Sequence, residues 1–86
     1  MLEKEFFNKL GYVKVSATRT KTMKSLEHEF KLPSEISKST GLRDTQVSNA
    51  LSDLKKENLV VCVNEELKRG RIYMLTEDGK EIVQYL

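Results

Sequence analysis

One cysteine, one proline and no tryptophan occur in the 86 residues. Cys62 alone cannot close an internal disulfide, which excludes a disulfide-stapled fold and fits a reducing compartment, so the cytoplasm is the expected location. No apolar run approaches the ~20 residues needed to span a bilayer. Acidic Glu3 and Glu5 stand where a secretory signal would be basic, so neither a targeting segment nor a membrane partner is expected. The four glycines are scattered and form no phosphate-cradling loop. His28 is the only histidine, and no His, Cys, Asp or Glu residues stand at metal-ligand spacing. No metal site, cofactor or catalytic constellation is therefore expected, and the chain does not read as an enzyme.

A hydrophobic content of 38% with 33% charged residues describes a globular chain, and its length suits a single domain, residues 1–86, with a thin core. The net charge of +2 does not by itself point to nucleic acid. Its distribution is uneven. Residues 12–31 carry Lys14, Arg19, Lys21, Lys24 and Lys31 against Glu27 and Glu29, whereas residues 72–86 carry Lys80 against Glu77, Asp78 and Glu81.

The most patterned stretch is LPSEISKSTGLRDTQVSNALSDLKKENLVVCV, Leu32–Val63. Pro33 suits a first helical position, where its missing N–H would have had no partner. Ile36 points inward, Gly41 supplies the positive φ of a sharp turn, and Val47, Ala50, Leu51 and Leu54 share one face of a further helix ending near Glu57. This is the pattern of a helix-turn-helix over residues 33–57. Opposite that face lie Thr45, Asn49, Ser52 and Lys56, flanked by Gln46 and Ser48. Small hydroxyl and amide side chains of this kind can enter a DNA major groove and read base edges.

Met1–Leu10 reads as an amphipathic helix ended by Gly11, and Tyr12, Val13 and Val15 as a short β-rich run. Ser16 is placed to cap a helix over about Ala17–Phe30, with Ala17, Met23, Leu26 and Phe30 on one stripe. Arg19 and Lys21 near its start either form a solvated face or reach a phosphate. Asn58 is suited to end the helix-turn-helix. Two β-branched runs, Leu59–Val63 and Ile72–Leu75, flank NEELKRGR and predict a hairpin over 59–75 with Lys68, Arg69 and Arg71 near its tip. Thr76 caps a last helix with Glu77 and Asp78 at its positive end. Cys62 reads as a small buried hydrophobe, with a redox-sensing thiol as the alternative.

The segments GYVKVSATR, PSEISKSTGLRDTQVSNALSDLKKENLV and KRGRIYMLTEDGKEIV together resemble the winged helix-turn-helix transcriptional regulators, most closely the compact archaeal-type members related to the MarR and ArsR groups. The resemblance spans about residues 12–84. It implies an α+β, mostly α, fold with a three-helix core, a β-hairpin wing and a C-terminal helix. It also implies binding to double-stranded DNA, with the recognition helix Arg43–Glu57 in the major groove and the basic wing on the backbone or in a minor groove. The expected contact set is Arg19, Lys21, Arg43, Thr45, Gln46, Ser48, Asn49, Ser52, Lys56, Lys68, Arg69 and Arg71. Asn49 stands where relatives often carry a basic residue, and Asn58 where glycine is more usual. A homodimer through the terminal helices, Met1–Leu10 and Glu77–Leu86, would pair two half-sites. The alternative is a protein-binding winged-helix adaptor in a transcription-related assembly, suggested by the nearly neutral recognition helix and by Tyr12 and Tyr85.

Overall fold

A computed structural model describes residues 1–86 as five helices and a two-stranded hairpin: α1 Glu3–Lys14, α2 Ala17–Ser25, α3 Pro33–Thr40, α4 Asp44–Lys56, β1 Val60–Cys62, β2 Tyr73–Leu75 and α5 Glu77–Val83. The strands are antiparallel, with Val61 opposite Met74 and Cys62 opposite Tyr73, and the Val63 N–H donates to Ile72 O at 2.9 Å one step beyond. This is the α+β winged helix-turn-helix that the resemblance implies. Val13, Met23, Leu26, Ile36, Val47, Leu51, Leu54, Leu59, Val60, Leu75, Ile82 and Val83 form one buried core, to which every helix and both strands contribute.

The element ends follow from local chemistry. Ser16 Oγ accepts from the Arg19 N–H, and Thr76 Oγ1 from the Gly79 N–H, each satisfying an orphan donor of a first turn. Pro33 opens α3, and Gly41 at φ +75° closes it. Asn58 follows α4 at φ +59°, the left-handed conformation that lets the chain turn directly into β1. Lys9 Nζ donates to Glu57 O at 2.5 Å, placing a cation at the negative end of α4 and fastening α1 across it.

Three expectations are corrected. The first helix does not stop at Gly11 but runs to Lys14, so Tyr12 and Val13 are helical and there is no β run before Ser16. Phe6, Leu10 and Val13 form one helical stripe on the core, and that burial outweighs the ~1 kcal/mol cost of a mid-helix glycine. The second helix ends at Ser25, not Phe30. Lys31 pairs with Tyr73 through two backbone hydrogen bonds of 3.0 and 2.9 Å, so the chain must leave the helix and extend to reach the free edge of β2. Within the expected stripe, Met23 and Leu26 are buried, while Ala17 and Phe30 are exposed.

Gly79 was not singled out by the sequence. A Cβ on it would lie 2.1 Å from Leu59 O, so only glycine lets the first turn of α5 approach this backbone. Thr76 makes the same contact from the other side: its N–H donates to Leu59 O at 3.1 Å and its Oγ1 to Asn58 O at 2.7 Å.

Candidate nucleic-acid interface

Helix α4 buries Val47, Ala50, Leu51 and Leu54 and exposes Thr45, Ser48, Asn49, Ser52, Lys55 and Lys56. At 100° per residue the outward stripe is centred on Thr45, Asn49, Ser52 and Lys56, as expected. Ser48 and Lys55 lie on one flank of it, Gln46 and Asp53 on the other. Each flank is tied down by a different part of the chain.

On the Lys55 flank stands the wing. Lys55 Nζ pairs with Glu65, joining the last turns of α4 to the connection between the strands. That connection is ordered from within. Asn64 Oδ1 accepts from the Ile72 N–H at 2.8 Å, and its Nδ2 donates to Gly70 O at 3.0 Å, while Gly70 takes φ +70°. Arg71 donates through Nε to Leu67 O at 2.6 Å and through Nη2 to Glu65 O at 3.1 Å. A cleft of about 280 Å³, with Ser48, Ser52, Lys55, Arg71, Pro33 and Tyr73 in its walls, separates the wing root from α4.

On the Asp53 flank stands Arg19. Its Nη2 lies 3.2 Å from Asp53 Oδ2, its Nη1 donates to Tyr12 O at 3.0 Å, and the guanidinium carbon sits 3.8 Å from the Tyr12 ring centroid. The ion pair offsets an acidic charge on α4, a cation–π contact adds to it, and three helices are joined at one point.

The candidates therefore divide. Thr45, Ser48, Asn49, Ser52 and Lys56 lie along one exposed face, with Arg43 exposed at its start. Lys68 and Arg69 are exposed on the wing, and none of Arg43, Lys56, Lys68 or Arg69 forms an ion pair. Gln46 is half-buried and its Oε1 accepts from the Arg43 N–H at 2.9 Å, so it caps α4. Arg71 does not project from the tip as expected but folds back to organise the loop, and Arg19 is engaged within the fold. Lys21 lies apart from this face, in a cleft between α2 and α3. Lys55, absent from the expected set, is the α4 cation that pairs with the wing, and its place on α4 one turn after Ser52 was the signal available.

No group of three or more His, Cys, Asp or Glu side chains is placed to bind a metal ion. No helix is long and apolar enough to cross a membrane. Cys62 is buried, as expected, and His28 is exposed.

Neither a protein-family model nor a curated protein matches the sequence. Solved structures do match the fold. TubR, bound to 24 bp of tubC from Bacillus thuringiensis serovar israelensis, aligns with a TM-score of 0.81 and 12% identity over 99% of this chain and 92% of its own. MepR of S. aureus, in a DNA complex, aligns at 0.71 and 21% identity over 96% of this chain and 70% of its own. ZitR of Lactococcus lactis aligns at 0.72 and 17% identity over 81% of this chain, which spans only about half (49%) of the ZitR chain.

Proposed function

We propose that this protein is a DNA-binding transcriptional regulator that inserts α4 in a major groove and lays Lys68 and Arg69 of the wing along the phosphate backbone. The observation that carries this reading is the shared edge of α4 and the wing. The small polar stripe Thr45, Asn49, Ser52 and the unpaired cations Arg43, Lys56, Lys68 and Arg69 lie on adjoining surfaces, with the Lys55–Glu65 pair between them. Hydroxyl and amide groups read base edges, and unpaired cations release counterions from phosphates. The DNA-bound state of TubR and MepR, which share the fold, supports the same reading. Asp53 does not oppose it, because Arg19 offsets its charge.

One α4 spans only a few base pairs, so the functional unit is a homodimer reading two half-sites. Its surface is the apolar patch where the termini meet. Phe6 contacts Phe7 and Tyr85 edge-on, each at a centroid distance of 5.3 Å, and Leu2, Phe7 and Tyr85 are more than half exposed.

The deciding experiment is an amide-shift titration of the whole chain with a short duplex of arbitrary sequence. Neutralisation of phosphates by the four free cations of each protomer predicts roughly a hundredfold weaker binding between about 50 and 200 mM salt for each protomer engaged. Shifts are expected at Thr45–Ser52 and at Lys68 and Arg69. No shifts at the lower salt would overturn the proposal and leave the protein-binding adaptor as the better reading.

A further inference from the structure

The largest cavity, about 470 Å³, lies off the α4 face between the end of α2, the segment leading to Lys31 and the end of α3. No hydrophobic side chain lines it. Lys21, Lys24 and Lys31 against Glu29 give its wall a formal charge of +2, equal to that of the entire chain. Lys31 is fixed, its Nζ donating to Ser25 O at 2.6 Å and standing 3.9 Å from Glu29 Oε1. Lys21 and Lys24, three residues apart on one face of α2, have neither a hydrogen-bond nor an ion-pair partner.

The other two cavities differ in this respect. In one, Lys55 and Arg71 already have partners; in the other, Lys80 is paired with Glu77 and the wall also carries Glu27 and Glu29. Ammonium groups gathered in a concavity repel one another, and the concave shape concentrates their field on whatever enters. An anion relieves that repulsion, and one with several oxygens can accept from more than one lysine.

We propose that this cleft is an anion site that takes a phosphate group, with Lys21 and Lys24 as its principal donors and Lys31 as a fixed third charge. It also touches the helix-turn-helix: Thr40 lines it, and Thr40 Oγ1 accepts from the Leu42 N–H at 3.2 Å in the turn that launches α4. The phosphate comes either from a free phosphorylated molecule or from the backbone of a duplex extending past α4.

The test is a titration of the isotope-labelled chain with inorganic pyrophosphate at constant ionic strength. Saturable shifts are expected at Lys21–Ser25 and Ser39–Leu42, with affinity about tenfold weaker in the double variant Lys21→Gln, Lys24→Gln. Both lysines are exposed, so the variant should keep the wild-type thermal midpoint. Shifts that track ionic strength without saturating, or equal affinity in the variant, would overturn the proposal. Repeating the titration with duplex present separates the sources. Mutual displacement assigns the phosphate to DNA, and simultaneous binding, with duplex shifts confined to α4 and the wing, assigns it to a free anion. A chain that bound pyrophosphate but no duplex would lose the regulator reading and keep this one.

Discussion

Arg19 and Asp53, 34 residues apart, form a 3.2 Å ion pair that fixes α2 to the flank of α4 while the same guanidinium lies over the Tyr12 ring. The consequence is mechanical as well as electrostatic. The exposed stripe of α4 is held at one edge by Arg19 and at the other by the wing through Lys55 and Glu65.

Replacing Arg19 by Ala should lower the unfolding free energy by about 1–2 kcal/mol, the pair being partly screened because Asp53 is about a third exposed. A double-mutant cycle with Asp53→Ala, followed by urea denaturation, should return a coupling of roughly 0.5–1 kcal/mol. Zero coupling would mean that the pair does not help hold α4.

Two helical glycines should respond to alanine with opposite signs. At Gly79 the new Cβ would meet Leu59 O at 2.1 Å, so Gly79→Ala should destabilise by about 1–3 kcal/mol. At Gly11 nothing lies within 4 Å, and Gly11→Ala should stabilise by roughly 0.5–1 kcal/mol. Thermal melts of both variants decide this. A neutral Gly79→Ala would show that α5 can move away from the end of α4.

Thr22 is fully buried and its Oγ1 has no hydrogen-bond partner. Thr22→Val keeps the shape and removes the unpaired hydroxyl, so it should raise stability by up to about 1–2 kcal/mol in a denaturant titration. A clear loss would instead reveal a hydrogen bond made by that hydroxyl in solution.

The wing cations should separate by role. Lys68→Ala with Arg69→Ala should leave folding intact and reduce the slope of log K against log salt by about 2 for each wing engaged. Arg71→Ala should instead speed amide exchange across residues 64–72, because Leu67 O and Glu65 O lose their donor. An unchanged salt slope in the first variant would remove the wing from the proposed interface.

Features that depend on neighbours along the chain were legible from the residues alone. The periodicity of Ile36, Val47, Ala50, Leu51 and Leu54, the Pro33 start, the Gly41 turn, the caps at Ser16 and Thr76 and the left-handed Asn58 all arise within one or two turns of backbone, where propensity and hydrogen-bond satisfaction act directly. The outward face of α4 was legible for the same reason. Features that depend on partners far along the chain emerged only on folding. Core packing of Val13 carried α1 through Gly11, the Lys31–Tyr73 pairing cut α2 short, and Leu59 O required glycine at residue 79. It also sorted cations that look alike in sequence: Arg19 and Arg71 are drawn into the fold because an acid, an aromatic ring or free carbonyls lie within their reach, while Lys68 and Arg69 find none and stay in solvent. Composition counts such charges, but only the folded chain sets the distances that determine whether each one is paired.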